Sequence, residues 1–143
     1  MIDHDEITDI LVVDDDDLTA ELLERSLRKE RGRFRIVSAH DGLEGLVQLR
    51  GSQPGSAQPP MIVVLDLNMP RMSGLEFLRV VRADATMRQN VIFVLTTSDA
   101  DEDRCRVYEE CVAGYIRKSD VGRGFRDVAH LISTYCKTVY LPA

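Results

Sequence analysis

Acidic, hydroxyl and amine side chains follow short apolar runs at several points in this sequence. They are Asp14 and Asp15, then Asp66, Thr96 and Lys118. When carboxylates share one site, each raises the pKa of its neighbours unless a cation lies among them. Oxygen ligands of this kind suit a hard cation such as Mg²⁺, which keeps several waters and is often completed by a phosphate oxygen. The three acids therefore predict a Mg²⁺ site, with a solvated acidic turn as the alternative for Asp14 and Asp15.

The carboxylate of Asp66 could also act as a nucleophile. A carboxylate can attack phosphorus to form an aspartyl phosphate, and phosphoryl transfer asks mainly for positioning and charge stabilisation. The metal and Lys118 would neutralise the developing charge, and Thr96 would supply a hydroxyl. Taken singly, Thr96 could be an ordinary β-branched strand residue and Lys118 a solvated surface charge. Their order along the chain, together with the acids, favours phosphoryl chemistry.

The elements that must position these groups are predicted from the spacing of apolar residues. Short apolar runs indicate five strands, at 10–13, 34–39, 61–65, 91–95 and 114–118. Helical spacing predicts a helix after each strand, with Cys105, Tyr108 and Val112 on the inward face of the fourth. Five such β-α units predict an α/β fold with a parallel sheet and right-handed crossovers. The carboxyl ends of the strands then meet at one edge, where ligands bind in such sheets.

Composition restricts the class of protein. At 143 residues the chain has the size of one globular domain. Its net charge of −6 disfavours binding to nucleic acid or anionic lipid, and no run is apolar enough to cross a bilayer. The acidic start lacks the features of an export signal, so we expect a cytoplasmic location. The expected partner is a protein or a cation.

Two local predictions concern the thiols and the start of the first helix. Cys105, Cys111 and Cys136 contain no Cys-x-x-Cys pair, so we expect reduced thiols that behave as buried, small apolar residues. Asp17, directly before Leu18, is predicted to cap the first helix.

The residues around the predicted strand ends form four motifs. They are Val13-Asp14-Asp15, Leu65-Asp66-Leu67-Asn68-Met69-Pro70 with Gly74, Leu95-Thr96-Thr97-Ser98, and Gly114-Tyr115-Ile116-Arg117-Lys118. Together they resemble the receiver domain of two-component response regulators. The resemblance implies a single receiver domain over 1–143, with a core of residues 8–137 and a C-terminal extension at 138–143. It also implies a flavodoxin-like, doubly wound, five-stranded parallel sheet in the order 2-1-3-4-5, with helices on both faces.

The resemblance implies a phosphorylation-dependent signalling switch rather than an enzyme. Asp66 would accept a phosphoryl group from a phosphohistidine on a sensor histidine kinase or its relay. Asp15 and Asp66, with the backbone carbonyl of Asn68, would hold Mg²⁺. Asp14 would act nearby or through water.

Other matched positions have implied roles around the phosphate. Lys118 would pair with the Asp66 carboxylate and later with the phosphate, while Thr96 would bind a phosphoryl oxygen. Tyr115 matches the family's switch aromatic, expected to turn inward when Thr96 moves; an ordinary half-buried strand tyrosine is the alternative. Ser98 occupies a position that in the family tunes the lifetime of the phosphate, as does Asn68.

One residue departs from the family pattern. Receivers usually carry Pro after the lysine, often through a cis bond, whereas Ser119 follows Lys118 here. A cis bond before Ser would cost a few kcal/mol. We therefore expect a trans bond or a looser loop at this point, with weaker coupling to Tyr115.

The end of the chain carries a further apolar stripe. Its members are Phe125, Val128, Ile132, Tyr135 and Val139, followed by Tyr140-Leu141-Pro142-Ala143. Core packing explains part of the stripe, and a self-association surface would cover the rest. This tail resembles stand-alone receivers that work beside phytochrome-type histidine kinases and form homodimers through the last helix. We expect the signal to leave by protein contact, because no output domain follows in this chain.

Three other functions fit the sequence less well than the switch. An Mg²⁺-dependent aspartyl-phosphate hydrolase would want a second acid two residues after the nucleophile, where Asn68 stands. A flavin module would need a Ser/Thr/Gly-rich phosphate loop after the first strand, where the acids stand. A receiver fold used only as a binding scaffold would not need the complete set of five polar residues.

Overall fold

The sheet order and the alternation of strands and helices follow the sequence prediction. A computed structural model describes residues 6–51 and 53–142. Its elements are β1 (Ile7–Val13), α1 (Asp17–Leu27), β2 (Arg33–Ala39), α2 (Gly42–Arg50), β3 (Met61–Leu65), α3 (Gly74–Ala83), β4 (Val91–Thr96), α4 (Asp101–Glu109), β5 (Gly114–Arg117) and α5 (Arg126–Thr138). Two 3₁₀ turns, Lys118–Asp120 and Arg123–Phe125, connect β5 to α5. All strand pairs are parallel, in the order β2-β1-β3-β4-β5. The predicted fold class is confirmed.

Each central strand buries both of its faces. In β1, Leu11 packs into a cluster with Leu46 of α2 and Phe77 of α3, whereas Ile10 packs into a second cluster with Leu23 of α1. Successive side chains of a strand point to opposite faces, which is why a continuous apolar run fits a strand covered on both sides. Helices therefore cover both faces of the sheet. None of the helices in the described part of the chain is both long and apolar enough to cross a membrane.

Helix α4 is rotated relative to its predicted orientation. Cys105 and Tyr108 were expected to face inward, but both are exposed, and the buried residue of the helix is Val107. The expectation of buried cysteines was also wrong, because Cys105 and Cys111 are exposed and Cys136 is half-buried, although all three are free thiols as predicted. The helix is so polar that a single apolar residue sets its inward face. Spacing alone could not identify that residue.

The cap of α1 lies one residue earlier than predicted. Asp16, rather than Asp17, is the N-cap residue, and its Oδ1 accepts from the backbone N–H of Leu18 at 3.0 Å. Asp17 is the first residue of the helix, and its carboxylate lies 2.6 Å from Nε2 of His40 instead. In a run of four acids each of them has cap preference, so the backbone geometry decides which one caps.

Candidate functional site

The register of β1 and β3 brings Asp14 and Asp66 together. Val13 and Leu65 are partners in the parallel ladder, so the residue after each strand emerges at the same edge. The backbone N–H of Asp66 donates to the Val13 carbonyl at 2.9 Å, which extends the pairing one residue further. Asp14, Asp15 and Asp66 each offer an oxygen atom, and the three atoms lie within 4.8 Å of one another. The structure thus gathers the three acids that the sequence singled out.

Lys118 enters this cluster from the end of β5. Its Nζ donates to Asp14 Oδ2 at 2.7 Å and lies 3.8 Å from Asp66 Oδ2. The ammonium is thus nearer to Asp14 than to Asp66, with which it was expected to pair. The peptide bond to Ser119 is trans, and a 3₁₀ turn begins at Lys118. The absence of Pro therefore does not prevent the lysine from reaching the site.

Asp66 is almost as deeply buried as Asp14. It is only 6% exposed, and its Oδ1 is buried without a hydrogen-bond partner among the described residues. Burial raises the pKa of Asp66, and the neighbouring charge of Asp14 raises it further. The Thr96 hydroxyl, the Lys118 ammonium and the backbone N–H of Asn68 shift the pKa in the opposite direction without cancelling the increase.

The chain after Asp66 passes very close to the start of α3. A Cβ atom built on Gly74 would lie 2.4 Å from the Asp66 carbonyl oxygen and 2.7 Å from Cα of Leu67. The backbone N–H of Gly74 donates to the Leu67 carbonyl at 2.9 Å. Only glycine fits this approach. Asn68, two residues after Asp66, is exposed.

Thr96 and Tyr115 meet at the loop after β4. Thr96 is fully buried, and its Oγ1 accepts from the backbone N–H of Ser98 at 3.3 Å. The hydroxyl of Tyr115 donates to the Ser98 carbonyl at 2.7 Å, and the ring packs against the core. Tyr115 therefore contacts the loop that follows Thr96, and this contact fits both predictions for it, the switch aromatic and the half-buried strand tyrosine.

Charged contacts at the same edge were not predicted from the sequence. Asp41 is buried, caps α2 through the N–H of Glu44 and contacts Arg71 of the β3–α3 loop. The hydrogen bond from Glu44 is the main cause that lowers the pKa of Asp41, and Arg71 adds to it. The spacing Asp41-x-x-Glu44 is that of a capping box and could have identified this residue.

His40 links α1 to the start of α2. Its Nε2 lies 2.6 Å from the Asp17 carboxylate, and its backbone N–H donates to Glu44 at 2.8 Å. The hydrogen bond to Asp17 is the main cause that raises the pKa of His40, and the charges of Asp17 and Glu44 add to it. No sequence motif predicted this contact between Asp17 and His40, which are 23 positions apart.

The donor set fits a divalent cation. One ammonium stands against three carboxylates, so the cluster keeps excess negative charge. The buried Oδ1 of Asp66 still needs a polar or cationic partner, since burying an unpaired charged oxygen is costly. Oxygen ligands at an edge open to water suit a hard cation that retains several waters.

Comparison with known proteins adds independent evidence. Residues 10–123 match the family described as the response regulator receiver domain. The chain is 30% identical over 140 residues to response regulator Rcp1 of Synechocystis, with 94% of this chain and 92% of Rcp1 covered. It is 34% identical over 109 residues to the probable methanogenesis regulatory protein FilR2 of Methanothrix harundinacea, with 76% and 70% covered.

Two solved structures of similar proteins share the fold and the length of this chain. The phosphorylated cyanobacterial phytochrome response regulator RcpA superposes with a TM-score of 0.84 at 26% identity, covering 96% of this chain and 100% of RcpA. The Mn²⁺-bound form of Rcp1 gives a TM-score of 0.78 at 27% identity, covering 94% and 99%. The family match spans well over half of the chain, and it agrees with the strand order and with the acidic cluster at the carboxyl edge of the sheet. This chain belongs to the response regulator receiver domain family.

Proposed function

We propose that Asp66 accepts a phosphoryl group from a phosphohistidine of a sensor histidine kinase and that this modification switches the protein's contacts with its partners. The observation that carries the proposal is the buried Oδ1 of Asp66, which has no hydrogen-bond partner in the part of the chain that the structure describes. Asp66 lies beside an ammonium, a hydroxyl and two further carboxylates. A buried carboxylate oxygen without a hydrogen-bond partner is energetically unfavourable, and a bound phosphoryl group or cation would lower its free energy. RcpA, which shares the fold and length of this chain, was crystallised in a phosphorylated form.

The proposed phosphoryl transfer forms one bond and breaks one. An oxygen of the Asp66 carboxylate attacks phosphorus, the O–P bond forms, and the P–N bond breaks with its electron pair returning to the imidazole nitrogen. Lys118 Nζ, 3.8 Å from Asp66 Oδ2, neutralises charge on the phosphoryl oxygens. The Thr96 hydroxyl donates to one of those oxygens.

Asp15 and Asp66, with the backbone carbonyl of Asn68, would hold Mg²⁺, and Asp14 would act beside them or through water. The metal would offset the charge that builds up on the phosphoryl oxygens during transfer. The Mn²⁺-bound form of Rcp1 supports the binding of a divalent ion by this chain. Mg²⁺ is the proposed ion because the ligands are all oxygens and the site is open to water.

The output is signalling by protein contact rather than turnover of a substrate. Asn68 stands two residues after Asp66, and its amide is too weakly acidic to serve as a general acid, which argues against an aspartyl-phosphate hydrolase. The likeness to RcpA, a phytochrome response regulator, supports a phytochrome-type histidine kinase as the phosphodonor. The proposed compartment is the cytoplasm.

A homodimer through α5 and the tail is also proposed. Leu131 on α5 is 40% exposed, Val139 37% and Tyr140 71%, so both the helix and the segment after it expose apolar side chains. Contiguous exposed apolar surface on a small domain favours association. The inward residues of the same helix belong to the core, where the ring of Tyr135 meets that of Phe93 edge to face at 5.4 Å.

Phosphorylation at Asp66 can be tested directly. Incubation with Mg²⁺ and a small radiolabelled phosphodonor should place a hydroxylamine-sensitive label on the protein, because an acyl phosphate is cleaved by that nucleophile. Asp66→Asn should reduce the label to background, since the amide is not a nucleophile. Timing transfer from candidate phytochrome-type kinases then identifies the donor.

Asp99→Asn is the matched control, because Asp99 is an exposed acid beyond β4. It should be labelled like the natural protein. Undiminished label on the Asp66→Asn variant would refute the proposed site.

A further inference from the structure

Ser98 connects the proposed phosphorylation site to α4. Its backbone N–H donates to Thr96 Oγ1 at 3.3 Å, and its carbonyl accepts from the Tyr115 hydroxyl at 2.7 Å. Its own hydroxyl donates to Asp103 Oδ2 at 2.6 Å. One residue is therefore held simultaneously by the buried threonine, by the β5 tyrosine and by the first turn of α4.

The first turn of α4 has little else to hold it. The N-cap residue is Ala100, which offers no side-chain cap, and Val107 is the buried residue of the helix. The backbone N–H of Ala100 reaches the Ser98 hydroxyl only at 3.4 Å. A helix with one buried side chain and no capping side chain is weakly anchored. The hydrogen bond between Ser98 and Asp103 is thus a main attachment of this helix end.

Asp103 differs from the other acids of that turn. Asp101 pairs with Arg104 at 2.8 Å, and Glu102 pairs with Arg106, so both bonds stay within the helix. Asp103 alone among the three reaches back to the loop, and its bond is charge-assisted and short. Its role is therefore separable from the general preference for acids at a helix N-terminus.

We propose that Asp103 is a positioning residue that, through Ser98, holds the β4–α4 loop in the arrangement seen here and thereby opposes phosphorylation-linked movement of Thr96. This inference rests on the proposed function of Asp66. Drawing the Thr96 hydroxyl toward a phosphoryl group on Asp66 pulls on the Ser98 N–H. The loop then yields only by straining the bonds of Ser98 to Tyr115 and Asp103. A weaker bond between Ser98 and Asp103 makes the arrangement seen here less stable relative to the one in which Thr96 has moved, and so favours the latter.

Binding of beryllofluoride with Mg²⁺, a phosphoryl analogue, measures that balance. The probe's apparent Kd is read from the backbone amide resonances of Ser98 and Tyr115. Asp103→Ala should bind about fivefold more tightly than the natural protein, a modest share of the energy of one charge-assisted hydrogen bond. Asp103→Asn should stay within about twofold of the natural protein, because its amide oxygen still accepts from Ser98.

Two further variants separate positioning from charge. Asp101→Ala removes one negative charge from the same turn, but its partner is Arg104, so we expect an unchanged Kd. Ser98→Ala removes the hydroxyl and keeps the backbone groups that contact Thr96 and Tyr115. It should tighten binding as Asp103→Ala does, and the double variant should show no further gain, because both changes break the same bond between Ser98 and Asp103 and the 3.4 Å contact with the Ala100 N–H is weak.

The possible failures are distinguishable. If the natural protein binds beryllofluoride and Asp103→Ala matches Asp101→Ala, or if the Ser98 and Asp103 effects add, the positioning role is wrong and the role of Asp66 stands. If the natural protein does not bind beryllofluoride with Mg²⁺, the proposed function of Asp66 fails and the role of Asp103 fails with it.

Discussion

Among single residues, Asp66 bears an electrostatic cost that a partner could relieve. Its carboxylate is buried beside the charge of Asp14, and the nearby ammonium of Lys118 lies closer to Asp14 than to Asp66. Burial is the main reason that the pKa of Asp66 is raised. The native state thus binds this proton more tightly than the unfolded chain does. The contribution of Asp66 to stability is present below its ordinary pKa of 3.8 and is lost as the pH rises through the higher folded value.

Asp66→Asn should therefore stabilise the metal-free protein at neutral pH. The amide cannot ionise, so we expect the free energy of unfolding to rise by about 1 kcal/mol and Tm by roughly 4 °C. The difference should shrink as the pH falls toward 3.8, where the natural carboxyl is also becoming neutral. Thermal unfolding followed by circular dichroism in EDTA across this pH range measures it. A variant less stable than the natural protein at pH near 7 would contradict the argument.

Mg²⁺ should relieve the same cost in the natural protein. At about 100 times its Kd, a ligand of the native state stabilises by about 2.7 kcal/mol, so Tm should rise by several degrees. Asp15→Asn should weaken this effect at least about tenfold in Mg²⁺ concentration, because it removes a charged ligand. Asp16→Asn is the control, since Asn can also accept from the Leu18 N–H and cap α1. An equal response of all three proteins would exclude Asp15 as a ligand.

Much of the site could be predicted residue by residue, because the ends of the strands determine where its side chains lie. Asp14, Asp66 and Thr96 each follow or end a buried apolar run, and parallel pairing brings such positions to one edge. The partner of Asp103 could not be predicted, because it depends on how the loop after β4 folds back onto α4. The preference of Lys118 for Asp14 also depends on side-chain geometry, which sequence spacing does not describe.

Between elements, the approach of α3 to the end of β3 depends on one glycine. Gly74→Ala would place its Cβ 2.4 Å from the Asp66 carbonyl oxygen, so the backbone around the proposed phosphorylation site would have to move. We expect a loss of about 3 kcal/mol in the free energy of unfolding. Chemical denaturation measures that loss, and phosphoryl labelling of the folded fraction should fall with it.

Gly122→Ala is the matched control for this substitution. Gly122 has a φ of −65°, and the nearest atom to an added Cβ is a side-chain oxygen of Asp127 at 3.9 Å. Its stability should change by less than about 0.5 kcal/mol. Equal losses for the two variants would show that the close approach at Gly74 is not the cause.

The predictability of the helices depended on how many apolar residues each contains. In α3, the spacing of Leu78 and Val81 indicates one face, and both residues are buried, together with Phe77. In α4 only Val107 is buried, and exposed Cys105 and Tyr108 had suggested a different face. Because α4 buries so few residues, its position depends strongly on its few polar contacts.

Across the whole molecule, α5 and the tail connect the carboxyl ends of the strands with their amino ends. It begins after the turns that follow Lys118 at the carboxyl edge. The tail beyond it returns toward the opposite edge, where Pro142 lines a cleft with Met61 at the start of β3. Leu141 packs against the core, while Tyr140 between it and the helix stays exposed. The tail is therefore anchored at Leu141 and presents Tyr140 outward next to α5.

The proposed homodimer follows from this arrangement and can be tested by sedimentation. At micromolar concentration the natural protein should sediment at about twice the 16.1 kDa mass of the chain. Tyr140→Ser and Leu131→Ser each remove apolar surface from the proposed interface, so each should raise the dimer dissociation constant about tenfold. Leu43→Ser on α2 is the control, because Leu43 is 46% exposed and lies outside α5 and the tail. A monomer for every protein would disprove the dimer, and equal weakening by Leu43→Ser would place the interface elsewhere.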